Sequence, residues 1–242
     1  MPIKKSSSQR LLSGGQAVVE SLKVEGVKHV FGLIGSATME LFDALYSTNK
    51  IKFIGVRDER TGTHMADGYA RASGKPGIII AGQNGPGATN LVTGVAQASA
   101  AFSPVISIAG AITSEHVGKD AFQEVDQQAL FEPITKKTLT INHTKKIPMV
   151  VRNAFKLALK PKCGPVHINL PRDVLATKKI FNKFVKHKKD KLPQVSSKDL
   201  LKVIKFIKNS SKLVIIAGGG VKNSNTHKKI IFLAKKINSP IV

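Results

Sequence analysis

The chain has 242 residues, enough for one domain and part of another, and its single cysteine, Cys163, excludes an intramolecular disulfide. No apolar run reaches the roughly 18 residues that span a membrane, and the basic residues 1–10 lack the apolar core of a signal peptide. The formal net charge of +23 would attract phosphates, but a chain without tryptophan and with 5% aromatic residues is not typical of specific nucleic-acid readers. We therefore expect a cytoplasmic protein with neither a membrane nor a specific nucleic acid as partner, and nucleic-acid binding stays an alternative based on charge alone.

Strand and helix patterns alternate through the first 174 residues, which is typical of an α/β protein. A helical pattern follows Ser13 and ends at Gly26. Apolar runs bounded by turn residues predict strands at 29–33, 52–56, 77–81, 104–109 and 166–170. Further helical patterns lie near 39–46, 88–100 and 147–159, and one more ends near residue 73. Because the run 77–81 is apolar throughout, both faces of the sheet should be covered, and we predict a doubly wound parallel sheet.

The composition changes after residue 174. Residues 175–242 contain 17 lysines and only two acidic residues. We interpret 1–12 as an N-terminal tail, 13–174 as the first domain and the lysine-rich 175–197 as a basic linker. The remaining residues, 198–242, predict a second α/β unit with helices at 198–208 and 226–236 and strands at 213–217 and 240–242. A unit of that size cannot bury both faces of a sheet, so we interpret it as the truncated start of a second domain.

One acidic residue and one glycine turn indicate a binding site. Glu59 follows the apolar run 51–56, and Gly85-Pro86-Gly87 follows the run 77–81. Residues at the carboxyl ends of strands in an open α/β sheet point into the crevice where such folds bind ligands. The two features are therefore expected to share a pocket. The alternative from the residues alone is that Glu59 caps the next helix and the glycines form an ordinary turn.

These stretches together resemble thiamine-diphosphate-dependent enzymes of the acetolactate synthase group. The resemblance runs through six blocks in the same order and spacing: 14–26, 31–39, 57–77, 85–90, 118–124 and 164–173. It implies that 13–174 is the pyrimidine-binding domain and that 198–242 begins the central domain of that family. The implied activity is that of the N-terminal part of a carboligase or lyase acting on a 2-oxo acid.

The resemblance also implies roles for individual residues. Glu59 would be catalytic: it would hydrogen-bond the aminopyrimidine ring of thiamine diphosphate and favour the imino tautomer, which removes the thiazolium C2 proton. The other implied cofactor-binding residues are Ile34, Gly35, Gly85, Pro86, Gly87 and Asn90. The implied substrate-channel residues are Phe122, Gln123 and Lys136.

The resemblance further implies which components this chain lacks. The family binds the cofactor diphosphate and its Mg²⁺ through a C-terminal Gly-Asp-Gly…Asn motif, which does not occur here, so we expect no metal ligands in this chain and no activity from it alone. Two subunits share each cofactor in the family, so a homodimer or homotetramer is expected. Flavin (FAD) binding stays open, because Gly218-Gly219-Gly220 is a suitable loop but residues 113–116 lack the arginines that contact flavin in the synthases.

Several residues depart from the synthase pattern. Ile34-Gly35-Ser36 stands where Pro-Gly-Gly is usual, and Gln83-Asn84 replaces a pair of small residues before the glycine turn. These blocks look closer to sulfoacetaldehyde acetyltransferase, which gives an acyl-transfer alternative. A non-catalytic α/β binding module is the alternative of another class, and an acid retained at position 59 argues against it.

Overall fold

The structure is a computed structural model, and it describes residues 9–188 and 194–242. The first eight residues of the predicted tail and residues 189–193 of the predicted linker lie outside the described residues. The described residues form two compact units, one up to residue 188 and one from residue 194.

The first unit alternates strands and helices as the sequence predicts. Its strands are β1 (Arg10–Ser13), β2 (His29–Gly32), β3 (Lys52–Gly55), β4 (Gly77–Ala81), β5 (Val105–Ala111), β6 (Lys137–Thr140), β7 (Val166–Pro171) and β8 (Lys178–Phe181). Its helices are α1 (Gly14–Glu25), α2 (Met39–Tyr46), α3 (Glu59–Ser73), α4 (Gly85–Ala100), α5 (Gln127–Phe131), α6 (Ile147–Leu159) and α7 (Arg172–Ala176). Short 3₁₀ turns complete the connections.

Six strands form one sheet in the order β3-β2-β4-β5-β7-β6, and every neighbouring pair is parallel. The doubly wound parallel sheet predicted from the sequence is confirmed. After β2 the chain adds β3 on one side and then crosses to add β4 on the other. Such a reversal opens a crevice beyond the carboxyl ends of the two strands, here β2 and β4, and open α/β sheets bind ligands there.

Helices cover both faces of this sheet. Ile78 and Ile80 of β4 point into a core shared with α1, α2 and α6, whereas Ile79 points to the other face, covered by α3 and α4. All three isoleucines are completely buried. A central strand with apolar side chains on both faces explains why residues 77–81 read as a continuous apolar run rather than an alternating one.

Local sequence signals set the helix ends. Ser13 and Gln16 form a reciprocal capping box at the start of α1, in which each side chain accepts a hydrogen bond from the other residue's backbone N–H. Gly26 ends the same helix with a left-handed backbone at φ 85°. These two residues confirm the start and stop that the sequence predicts for this helix.

Strands β1 and β8 form an antiparallel ribbon that the sequence did not indicate. They lie within segments predicted as the tail (1–12) and the linker (175–197), so the first unit holds residues on both sides of the predicted domain. The reason is non-local pairing: Arg10 is opposite Phe181, and only Phe181 of the four β8 residues is buried. The exposed lysines of β8 gave the segment its linker-like composition.

The second unit contains α8 (Ser197–Lys208), α9 (Gly219–Asn223) and α10 (His227–Lys236). The two predicted strands meet through a single parallel bridge between Ile215 and Ile241, supported by neighbouring backbone hydrogen bonds. Apolar side chains on both long helices, such as Phe206 and Phe232, are exposed. In the described parts of the chain, no helix combines the length and apolarity that crossing a bilayer requires.

Candidate functional site

The crevice between the carboxyl ends of β2 and β4 is closed at its base by two turns in backbone contact. A Cβ on Gly35 would lie 2.5 Å from the carbonyl carbon of Gly82, so the turn after β2 rests directly on the end of β4. The Ala37 N–H donates to the Gly82 carbonyl at 3.1 Å, and the Thr38 hydroxyl donates to the Ala81 carbonyl at 3.1 Å. Ile34, next to Gly35, is 63% exposed at the rim of this crevice.

Glu59 is the first residue of α3 and is only 3% exposed. The residue before it, Asp58, caps the helix by accepting the Arg60 N–H at 2.7 Å, and this hydrogen bond lowers the pKa of the Asp58 carboxyl. Capping is therefore done by Asp58, which leaves the Glu59 carboxylate available for another partner. The Thr63 hydroxyl, one turn later, donates to the Glu59 carbonyl at 2.7 Å. The first turn of α3, which carries the Glu59 carboxylate, is therefore fixed by one hydrogen bond at its start and another at its end.

Helices α3 and α4 approach each other closely beside this carboxylate. A Cβ on Gly94 would lie 2.5 Å from the Cβ of Thr63, so only glycine allows this crossing distance. One turn earlier on both helices, the Asn90 Nδ2 donates to the Glu59 Oε2 at 3.1 Å. The crossing of two helices therefore places an amide donor on one carboxylate oxygen.

The other carboxylate oxygen faces Gly87. A Cβ at Gly87 would lie 3.1 Å from the Glu59 Oε1, 3.3 Å from the Gln83 Cβ and 3.4 Å from the Ala81 Cβ. Because glycine has no Cβ, a small space remains between the carboxylate, the end of β4 and the start of α4. The Glu59 Oε1 therefore borders the backbone of Gly87 rather than a side chain, at the edge of the crevice.

The glycine turn also supports the segment that was expected to line the substrate channel. A Cβ on Gly85 would lie 2.5 Å from the Gln123 carbonyl oxygen. The buried Asn84 side chain donates through Nδ2 to the carbonyls of Phe122 and Gln123, at 3.2 and 3.0 Å. Phe122 is consequently held at this edge with its ring 86% exposed. Pro86 occupies the first turn of α4, where its missing N–H leaves no helical hydrogen bond unmade.

Lys136 is not brought to this site. It precedes β6, so it lies at the amino edge of the parallel sheet, opposite the edge that holds Glu59. Its Nζ donates to the carbonyls of Lys160 and Lys162 at the end of α6, both at 2.8 Å, and partial burial lowers the pKa of the Lys136 ammonium. Within one subunit Lys136 acts as a cap for α6, and its expected channel role stays a prediction for an assembled protein.

Two further groups at the carboxyl edge were not singled out from the sequence as site residues. The Ser36 hydroxyl donates to the Gln83 Oε1 at 2.9 Å and links the two turns across the crevice. Asn84 ties the Phe122–Gln123 backbone to the glycine turn, as described above. The sequence indicated these contacts only through Gln83 and Asn84, two amide side chains that stand before Gly85 where the resembled family has small residues.

A buried histidine anchors the segment that follows Gln123. His167 on β7 is fully buried and stacks on Phe131 at 3.6 Å between ring centres, and burial lowers its pKa to about 3. Gln127 donates through Nε2 to the Gly110 carbonyl at 2.7 Å, so its Oε1 accepts from the His167 Nε2–H at 3.1 Å. The Ser107 hydroxyl then donates to Nδ1 at 2.9 Å. This neutral tautomer fixes the start of α5 against the sheet.

Comparisons with known proteins agree with this geometry. Residues 12–130 match the family described as thiamine pyrophosphate enzyme, N-terminal TPP binding domain. Over these residues the chain is similar to the thiamine pyrophosphate enzymes. The matched segment includes the Glu59 crevice, the glycine turn and Gln123, and it ends before Lys136.

Among curated thiamine pyrophosphate enzymes, acetolactate synthase large subunits are similar to this chain. A probable acetolactate synthase large subunit of Methanocaldococcus jannaschii is 40% identical over 95% of this chain and 40% of its own length. The acetolactate synthase large subunit of Buchnera aphidicola subsp. Schizaphis graminum is 37% identical over 96% of this chain and 41% of its own length. That of Lactococcus lactis is 37% identical over 99% of this chain and 42% of its own length. The chain therefore spans about two fifths of the length of these relatives.

Proposed function

We propose that the crevice at Glu59 is the pyrimidine half of a thiamine diphosphate site in an acetolactate synthase-like enzyme that acts on a 2-oxo acid. The observation that carries the proposal is the buried Glu59 carboxylate, held by Asn90 on one oxygen and open toward the space over Gly87 on the other. A structural carboxylate would have both oxygens satisfied by the protein. Here the Glu59 Oε1 accepts no hydrogen bond from the described residues, so it is available to a ring nitrogen of a ligand.

Each residue of the crevice has a defined task in this proposal. Asn90 fixes the rotamer of Glu59, so Oε1 can hold and return a proton at a pyrimidine ring nitrogen without reorganisation. Burial of the carboxylate excludes the water that would compete for that proton. Gly35 and Gly85 to Gly87 let backbone approach the ring. When bound, thiamine diphosphate supplies the electron sink on which a 2-oxo acid can lose carbon dioxide.

The described residues hold only part of such a site. Within 9–188 and 194–242, no group of three or more His, Cys, Asp or Glu residues could hold a metal ion. We infer that Mg²⁺ and the cofactor diphosphate are bound by another domain, contributed by a second subunit of a homodimer or homotetramer. Residues 1–242 alone should therefore not turn over pyruvate. FAD binding near Gly218-Gly219-Gly220 stays a prediction.

Acyl transfer of the sulfoacetaldehyde acetyltransferase type is the second candidate. The observation that favours it is the hydrogen bond between Ser36 and Gln83, because both residues depart from the synthase pattern and contact each other in the crevice. Paired departures at one contact indicate a changed pocket rather than two unrelated substitutions. The two candidates share the role of Glu59 and differ in the substrate.

The test is a calorimetric titration of thiamine diphosphate, with Mg²⁺ present, into the full-length gene product. We expect saturable binding of thiamine diphosphate in this titration. In a separate activity assay, we expect release of carbon dioxide from pyruvate with acetolactate as product. Release of sulfite from sulfoacetaldehyde with transfer of the acetyl group to added phosphate, without acetolactate formation, would support the second candidate. Absence of cofactor binding to a folded, oligomeric protein would overturn both. An exposed-carboxylate variant, Glu115→Gln, serves as the control that should behave as wild type.

A further inference from the structure

Gln83 and the Glu59 carboxylate both border Gly87. The position that a Cβ on Gly87 would occupy is 3.1 Å from the Glu59 Oε1 and 3.3 Å from the Gln83 Cβ, so both side chains border the same small space. Gln83 is only partly buried, whereas Glu59 is almost completely buried. The Gln83 side chain is therefore more accessible to solvent than the Glu59 carboxylate.

The orientation of this amide follows from its contact with Ser36. The Ser36 hydroxyl donates to Oε1 at 2.9 Å, which directs the amide nitrogen away from the turn after β2. Among the described residues, the amide nitrogen donates no hydrogen bond, and Ser36 fixes the side chain without using its two N–H groups. A half-buried donor held in place and left open is suited to bind an acceptor oxygen from a ligand.

The depth of the two groups indicates which part of a ligand each one meets. A ring that binds Glu59 meets the more buried of the two groups in the inner space of the crevice, so the more accessible amide is left for a ligand that enters after it. Small acids carry a carboxylate or a sulfonate, and either group offers oxygen acceptors to amide N–H donors.

We propose that Gln83 is a substrate-contacting, specificity-determining residue whose amide N–H groups bind an anionic oxygen of the acid substrate, with Ser36 as its positioning residue. The proposal rests on the proposed function, since it takes the inner space to be the cofactor site. In this proposal Gln83 selects the acid group of the substrate, and the Ser36 hydroxyl holds the Gln83 side chain in position.

The test compares Gln83→Ala, Gln83→Glu and Ser36→Ala in the full-length gene product, with Gln128→Ala on the exposed side of α5 as matched control. Loss of a hydrogen bond to a charged group should raise KM for the acid substrate about 10- to 100-fold in Gln83→Ala. Gln83→Glu should raise KM further, because it places a like charge beside the acid. The dissociation constant of thiamine diphosphate, measured by calorimetry, and kcat should both stay within threefold of wild type. The unfolding midpoint should stay within a few degrees of wild type.

Pyruvate and a sulfonate aldehyde substrate form the two arms that distinguish carboxylate from sulfonate recognition. The arm whose KM responds to Gln83→Glu identifies the group that is bound. Ser36→Ala should have a smaller effect than Gln83→Ala, and adding it to Gln83→Ala should change nothing more, since Ser36 acts through Gln83.

Three results would overturn the proposal. Unchanged KM in both arms would show that Gln83 does not contact the substrate. A weakened cofactor dissociation constant with unchanged KM would place the amide on the cofactor instead. An equal fall of all parameters with a lower unfolding midpoint would show a purely structural role. Failure of the wild-type protein to bind thiamine diphosphate is a separate outcome, which contradicts the proposed function rather than the role of Gln83.

Discussion

Gly87→Ala tests whether the space beside Glu59 is required. The new methyl group would sit 3.1 Å from the Glu59 Oε1 and within 3.4 Å of two Cβ atoms, all closer than the 3.5–4.0 Å at which carbon contacts are favourable. Overpacking of this kind typically costs about 1–3 kcal/mol. Alanine in a helix gains about 0.5–1 kcal/mol over glycine. The net change in the free energy of unfolding should therefore be a loss of about 0–2.5 kcal/mol.

The effect on function should be larger than the effect on stability. The carboxylate has to give way to the methyl group, and catalytic groups misplaced by about 1 Å can lose 100-fold in rate. We expect kcat/KM to fall at least tenfold and the cofactor to bind more weakly. Urea unfolding followed by far-ultraviolet circular dichroism gives the stability, and calorimetry gives the cofactor affinity.

Gly68→Ala is the matched control. Gly68 lies in α3, and a Cβ there would meet nothing within 4 Å, so this variant gains the same helix propensity without a new contact. It should be stabilised by about 0.5–1 kcal/mol and keep full activity. If Gly87→Ala behaved like Gly68→Ala in both stability and activity, the space over Gly87 would have no functional role and the reasoning about the pocket would be refuted.

Two other side chains give independent predictions. His167 has a folded pKa near 3 against about 6.5 when unfolded, so the unfolded state binds the extra proton between these values and stability falls as pH falls. Between pH 7 and pH 5 the titration of His167 should lower the free energy of unfolding by about 2 kcal/mol. His167→Gln should remove this pH dependence. An equal pH dependence of stability in the wild type and the variant would contradict the prediction. Lys136→Met should lower the free energy of unfolding by about 1 kcal/mol, because it loses two hydrogen bonds to carbonyls at the exposed end of α6. A tenfold rise in substrate KM at unchanged stability would instead support a channel role for Lys136.

Five of the six strands of the main sheet could be predicted because their signals are local, whereas β6, with the largely polar sequence Lys-Thr-Leu-Thr, was not predicted. The run 77–81 is apolar and bounded by turn residues, and Glu59 follows such a run directly, so the shared edge of the sheet follows from the parallel topology. The β1–β8 ribbon could not be predicted, since Arg10 and Phe181 pair across most of the chain and each of the two strands has only two apolar residues. Strand pairing at that separation depends on the folded core rather than on local pattern.

The same distinction holds within the site. Spacing and resemblance indicated Glu59, Asn90 and the glycine turn, and the structure brings them together through the close crossing of α3 and α4. The family resemblance assigned Lys136 to the channel without indicating that it precedes β6 at the opposite edge of the sheet. The contacts of Gln83 and Asn84 depend on how two loops fold onto the turn, which no local pattern in the sequence specifies.

The central claim is that Glu59 activates a bound cofactor, and the most direct measurement is exchange of the C2 proton of thiamine diphosphate bound to Glu59→Gln in the full-length gene product. Glutamine is nearly isosteric and can keep the contact with Asn90, so the free energy of unfolding should change by less than about 1.5 kcal/mol. It cannot hold and return a proton at the ring nitrogen. We predict that the exchange rate and the decarboxylation rate of a 2-oxo acid both fall by about 10²- to 10⁴-fold or more. Rates within about threefold of wild type, for a protein that still binds the cofactor, would contradict the assignment of Glu59.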